Sequence, residues 1–407
     1  MKYGRTFLAI LAILGLVAAG CGDDDDADAG GTTTTAGDGD GDGGEAITIG
    51  IDGRSDDVNM FAFQYFPAKV QVHAGDMLVY ESRFSGEPHS ITFGASIDEA
   101  IKLVQSVPEE VLNADGPPPA EYEETFGKVG EIFGSLPAML PEGPGDANQI
   151  SVNPCFITTG EIPTDDTQPC EVQEPAPFTG TEVFYNSGFL PDGETFEMQL
   201  ADDIAPGTYI GFCILHFESM TSEIEVVADD VDVPDADAVA EEGQQQLDEF
   251  ASALAAAVDE AEGAATSGTV LAGVGAEDAG PSLAAEFVPG DAEVAAGEAV
   301  TWELAGPHTV SFNAPESARV LINKGDDGQY HLVEEAVAPA GYEPPPPPEG
   351  EPEGPPPPVD GGTWDGTGFF SSGILFDQPF TLVLSTAGSY EYVCLIHPEM
   401  EGTITVS

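Results

Sequence analysis

Residues 387–406 read AGSYEYVCLIHPEMEGTITV, and residues 206–226 read PGTYIGFCILHFESMTSEIEV. The two stretches match in order and nearly in spacing. Each begins at a Gly-containing turn and runs through a short Tyr/Val/Ile/Phe-rich segment. Each then spends a cysteine, a histidine and a methionine within eight positions. The whole chain of 407 residues has only 5 Cys, 6 His and 7 Met, so this concentration asks for a reason. Side chains repeat every two residues along a strand. Tyr209, Gly211 and Cys213 therefore share one face, as do Tyr390, Tyr392 and Cys394. Each cysteine is expected where a strand ends and a tight loop begins, with the histidine and methionine on that loop.

Working outward, the flanking segments also pair. VHAGDMLVYESRFSGEPHSITF (72–93) parallels VAAGEAVTWELAGPHTVSF (294–312), and FYNSGFL (184–190) parallels FFSSGIL (369–375). The chain is two copies of one unit. Short β-branched and aromatic segments between Gly/Pro/Asp turns predict an all-β fold of antiparallel sandwiches. The first unit is expected over 47–228 with an insertion at 94–183. That insertion opens with a helix at 97–106, capped by Ser96 and Glu99. The second is expected over 287–407, with an insertion at 317–368 that carries the polyproline run EPPPPPEGEPEGPPPPVDGG. Residues 229–286 read as an acidic linker with a helix at about 237–262, introduced by Asp237. Its stripe of Leu247, Phe250, Leu254 and Val258 is a packing face. A helix of about 26 residues spans roughly 39 Å, which keeps the two units apart unless the helix folds back and the units pack.

The amino terminus, MKYGRTFLAILAILGLVAAGCGDDDD, has Lys2 and Arg5, an apolar run from Phe7 to Val17, and small residues after it. This is a secretory signal, too short to span a bilayer comfortably. VAAGC, ending at Cys21, resembles the lipobox of bacterial lipoproteins, with residues 1–21 as signal and Cys21 as the lipidated residue. The simpler alternative is a cleaved signal with a free Cys21. Residues 22–46 lack apolar periodicity and read as a disordered acidic tether. Outside the cytosol a spare cysteine pair oxidises, so Cys155 and Cys170 are read as a disulfide closing a Pro/Thr/Asp-rich loop, worth about 3 kcal/mol. Seventy-four acidic residues against 9 basic ones give a net charge of −65. That charge repels nucleic acid and favours partners with basic docking surfaces.

Each unit also has a histidine in a turn-to-strand segment, His89 in PHSITF and His308 in PHTVSF. A thiolate, two imidazoles and a thioether form a soft and borderline donor set that suits copper in both oxidation states. At this point both units resemble the plastocyanin/azurin family of cupredoxins, and the C-x2-H-x2-M spacing of the second is similar to amicyanin. The resemblance covers about 200 residues. It implies two Greek-key β-sandwiches with one type 1 copper each. The ligands it implies are His89, Cys213, His216 and Met220, then His308, Cys394, His397 and Met400. It also implies that His216 and His397 lie nearest the surface as electron exits. The first loop, C-x2-H-x3-M, has one extra residue, and Phe217 replaces the proline at 398. His73 and His331 have no counterpart and read as surface residues.

The resulting expectation is an extracytoplasmic blue copper protein on a lipid anchor, passing single electrons between redox protein partners, and not an enzyme. A copper-handling surface lipoprotein without electron transfer is the alternative. A two-domain copper oxidase or nitrite reductase needs a further copper centre with several more histidines. Here Phe212 and Val393 precede the cysteines, and no His-x-His occurs.

Overall fold

A computed structural model describes residues 46–83, 88–112, 118–136, 148–153, 175–326, 328–343 and 358–407. Residues 1–45, Cys155, Cys170 and most of the proline run lie outside these, and with them the lipobox, the tether and the disulfide reading. No helix among the described residues is long and apolar enough to cross a membrane.

In the first unit, Tyr65–Phe66, Ile47–Ile51, Met77–Ser82 and Thr195–Gln199 form one sheet in that order. Lys69–His73, Phe217–Val227, Gly207–Cys213, Thr92–Phe93 and Tyr185–Asn186 form the other. Burial alternates along the strands, as in Met77–Ser82 and Lys69–His73, so each sheet has one apolar face. These faces meet over a common core to which Ile49, Tyr65, Leu78 and Tyr80 contribute from one side and Val72, Phe93, Ile224 and Val226 from the other. Burying each such large side chain contributes about 1.5–3 kcal/mol.

The second unit repeats the plan. Val359–Trp364, Phe380–Leu384, Ala299–Leu304, Thr269–Gly275 and Leu283–Val288 face Asp291–Val294, Glu401–Val406, Gly388–Val393, Ser311–Phe312 and Phe370–Ser371. Trp302, fully buried, stands at the centre with its ring 5.6 Å from Tyr392 and 5.9 Å from Phe380.

Several expectations need correction. The sheets are mixed rather than antiparallel: Ile47–Ile51 runs parallel to Met77–Ser82, and Thr269–Gly275 parallel to Ala299–Leu304. Parallel partners need long crossovers, which short-range turn signals do not announce. The stretch 229–286 is not all linker, because Thr269–Gly275 and Leu283–Val288 are strands of the second sandwich. Likewise Val359–Trp364, inside the expected insertion, pairs with Phe380–Leu384. The first insertion helix is Ala95–Gln105 with Gly94 at its N-cap, so Ser96 lies inside the helix and caps nothing. A side chain at 94 would strike the Val183 carbonyl at 2.2 Å, which makes glycine the residue for that cap.

The long helix runs Ala236–Ala264, capped by the Asp235 carboxylate, which accepts from the Ala238 amide; Asp237 falls in its first turn. It does not hold the units apart. Leu247, Ala251, Leu254 and Val258 pack with Val58, Met60 and Phe66 of the first unit and with Val274, Ala284 and Val288 of the second. The strand Met60–Phe61 leaves the first unit altogether and pairs with Leu283–Val288 as the sixth strand of the second unit's sheet. Asn59 secures it: its backbone oxygen accepts from Ala285 N, and its side chain donates to Ala285 O, each at 2.8 Å. The insertions meet as well, since Gln149 donates to Tyr330 O at 2.8 Å and accepts from Tyr330 N at 3.0 Å.

Candidate metal centres

Both Cys-to-Met loops are short bridges between neighbouring strands. In the second unit Gly388–Val393 ends at Cys394, and Glu401–Val406 begins after Met400. The Cys394 amide donates to Met400 O at 2.9 Å and the Met400 amide to His397 O at 3.3 Å, which closes the loop on itself. The Leu395 amide donates to Thr309 Oγ1 at 2.7 Å, tying the loop to the segment that carries His308. His308 is held from its other side by the pairing of Pro307–His308 with Leu375–Phe376.

Three donor atoms converge as a result. His308 Nδ1 and His397 Nδ1 are 3.0 Å apart, Cys394 Sγ is 3.5 Å from His397 Nδ1, and it is 3.9 Å from His308 Nδ1. The point equidistant from these atoms lies about 2.0 Å from each, where metal–imidazole bonds run about 2.0–2.1 Å and metal–thiolate bonds about 2.3 Å. His308, Cys394, His397 and Met400 are all buried. Met400 shares the core of Cys394. The Thr309 amide donates to Cys394 Sγ at 3.4 Å, a hydrogen bond that favours the thiolate. Burial pushes the Cys394 thiol up, yet His397 and His308 outweigh it and hold the group well below its ordinary value.

The first unit builds the same arrangement. His89 bridges to Leu190, Cys213 ends Gly207–Cys213, and the Ile214 amide donates to Ser90 Oγ at 3.1 Å, the counterpart of the Leu395–Thr309 tie. Cys213 Sγ is 3.9 Å from His89 Nδ1, and donor atoms of His89, Cys213 and His216 all lie within 4.8 Å of one another. Met220 is fully buried and shares the core of Cys213. The longer loop is absorbed by a register shift between Phe217 and Thr221, with Phe217 in the left-handed region at φ 48°. Against burial, the histidines again hold the Cys213 thiol well below its ordinary value, His216 foremost.

His73 and His331 lie away from both groups. His73 Nε2 meets Val231 O at 2.9 Å, and His331 pairs with Asn323 in a separate hairpin.

One residue that the sequence reading missed separates the two centres. Asp52, fully buried, places Oδ2 3.2 Å from His89 Nε2, while its Oδ1 accepts from the amides of Gly53 and Ala62 at 2.6 Å each. The strand registers Thr48↔Val79 and Thr269↔Thr301 put Gly273 at the equivalent position of the second unit, and both residues have positive φ, 61° and 84°. Glycine leaves His308 Nε2 to meet the Ala305 carbonyl at 2.9 Å instead. Burial opposes protonation of both imidazoles. Asp52 and Cys213 overcome it at His89, lifting that pKa to about 10, whereas His308 stays below its ordinary value. Aligning ITIGIDG (47–53) with GTVLAGV (268–274) is the signal that could have found Asp52.

A second omission concerns the histidines expected at the surface. His397 is 1 % exposed, and the Phe61 ring stacks on it with centroids 4.3 Å apart and planes 3° from parallel. His216, only partly buried, has Phe63 against it at 4.3 Å. The expected exit at His397 is therefore covered by the chain's own Met60–Phe61 strand.

No protein-family model matches the chain, and no curated protein does. Among solved structures it is similar to auracyanin of Roseiflexus castenholzii, with 18 % identity over 46 % of this chain and 99 % of that one, at a TM-score of 0.21. It is similar to amicyanin of Paracoccus versutus, with 19 % identity over 35 % and 83 % of the two chains and a TM-score of 0.16. A purple cupredoxin of Nitrosopumilus maritimus aligns at 20 % identity over 30 % and 84 %, also at 0.16. These neighbours are cupredoxins, but at such scores the reading of the centres rests on their own geometry.

Proposed function

We propose that the chain is an extracytoplasmic, lipid-anchored blue copper protein of two Greek-key cupredoxin units. On this reading each unit holds one type 1 ion and passes single electrons between redox protein partners. The observation that carries the reading is the pair of buried His–Cys–His groups, one of them with a centre about 2.0 Å from all three donor atoms. Two imidazoles and a thiolate with a methionine close by form the ligand set that favours copper over harder or strictly tetrahedral ions. Copper bound there supplies a one-electron Cu(I)/Cu(II) couple.

The chain's own part is to hold the donors still. The Leu395–Thr309 and Ile214–Ser90 ties fix each cysteine loop against the segment bearing the first histidine, so the donors keep one geometry whichever charge they face. Burial of Cys213 and Cys394 keeps water and oxidants from the sulfurs. The acidic surface repels anionic surfaces and favours basic docking partners.

The test is to load residues 22–407 with Cu(II), count copper per chain and record the visible spectrum. Two ions with intense charge-transfer absorption are expected, with half of each lost in Cys213→Ser or Cys394→Ser. A colourless protein, or colour that survives both substitutions together, overturns the proposal. Copper bound without reversible one-electron reduction leaves the copper-handling alternative.

A further inference from the structure

Two facts about the histidines join up. Four rings form one contiguous run from centre to centre: His216 to Phe63 at 4.3 Å, Phe63 to Phe61 at 5.2 Å, and Phe61 to His397 at 4.3 Å. The two imidazole centroids are thus at most about 14 Å apart, the middle step lying within the range usual for packed aromatic pairs and the two outer steps just below it. Phe61 is fully buried, and Phe63 packs against the cores of both units. The run is fixed in place by strand pairing of Met60–Phe61 with Leu283–Val288 and by Asn59, whose side chain also reaches the carbonyl of Pro398, the residue after His397, at 3.1 Å.

From this arrangement we infer that Phe63 and Phe61 form an internal bridge between the two centres, so that electrons pass from one to the other inside a single chain. The inference rests on the copper reading above and adds the partner of each exit histidine: His216 and His397 serve one another. In the step, one electron leaves the ion held by one unit, taking Cu(I) to Cu(II), and enters the ion held by the other, taking Cu(II) to Cu(I). No proton moves and no co-reactant is needed. Phe61 and Phe63 are positioning residues, since they touch the ligands and not the ions. The geometry also explains why a single chain carries two similar centres and spends a strand of the first unit on the sheet of the second.

Two readouts test the bridge without reference to turnover. In the copper-free chain, nuclear Overhauser contacts are expected from the Phe61 ring to the His397 imidazole and from Phe63 to His216; their absence overturns the inference whether or not copper binds. With both ions oxidised, pulsed dipolar EPR is expected to give a single narrow distance of at most about 20 Å, allowing at each end about 1 Å from ring centroid to nitrogen and about 2 Å for the metal–imidazole bond. A broad or longer distribution overturns it.

The third readout is kinetic. After flash reduction of one centre in the fully loaded chain, equilibration with the other is expected at a rate independent of protein concentration. In the double variant Phe61→Ala/Phe63→Ala that phase is lost while copper count and colour remain. Exchange that scales with concentration in the native chain, or a phase unchanged in the variant, refutes the bridge. Should the variant not fold, the contacts and the distance in the native chain still decide. Absence of copper or colour refutes the function proposed above, and the copper-free contacts then test the bridge on their own.

Discussion

Replacing Asp52 by Asn tests whether the two centres differ in the way their second nitrogens imply. The carboxylate Oδ2 lies 3.2 Å from His89 Nε2, on the far side of the ring from the Nδ1 that faces Cys213. Adding the imidazole width and a metal bond puts the carboxylate about 7 Å from an ion held at Nδ1. One unit of charge at that distance, at an effective dielectric of about 20, is worth about 2 kcal/mol, or about 100 mV for one electron. The negative carboxylate favours the more positive oxidation state, so it lowers the reduction potential of the first centre. Asp52→Asn retains Oδ1 for the Gly53 and Ala62 amides and removes the charge, so the pocket keeps its backbone ties. The first centre's potential is expected to rise by about 100 mV. The assay is spectroelectrochemical titration in a Cys394→Ser background, which leaves the first centre alone to be read. The second centre, with Gly273 in place of the carboxylate, serves as control in a Cys213→Ser background. A shift below about 20 mV, a fall, or an equal shift at the second centre refutes the reasoning.

Other outcomes follow from the same geometry. Gly273→Ala brings a methyl to 2.5 Å from His308 Nε2 and strains a backbone at φ 84°, so it is expected to destabilise the chain by at least about 2 kcal/mol and to empty the second centre only; unfolding curves and copper counts check this. In the copper-free chain, burial opposes charging His89, but Asp52 and Cys213 raise its pKa from 6.5 to about 10. The stabilisation this gives is complete below pH 6.5 and fades as pH rises toward 10; urea unfolding across that window shows the loss, and Asp52→Asn flattens it. Gln149→Ala removes both hydrogen bonds to the Tyr330 backbone and is expected to cost about 1–3 kcal/mol, seen as a lower midpoint in urea unfolding. Trp302→Ala opens the core of the second unit at a cost of about 3–5 kcal/mol by chemical denaturation.

The sequence by itself determined the repeat, the two cysteine loops and the six histidines and cysteines that meet at the two centres. This was possible because the information is local. Cys394, His397 and Met400 sit within seven positions, their strand alternation is visible in place, and a twin 180 residues away repeats the pattern. The long helix was legible for the same reason, to within a few residues at each end. Tertiary structure alone decided what lies behind and between the centres. Asp52 reaches His89 across 37 residues, and its role depends on a strand register that puts it where the second unit has Gly273. Phe61 reaches His397 across more than 300 residues because Met60–Phe61 joins the other unit's sheet, a pairing made by main-chain hydrogen bonds that any sequence can offer. The expected exposure of His397 failed on that point. A ligand set is written in spacing along the chain, whereas the cover over a ligand is written in which edge of a sheet another segment finds.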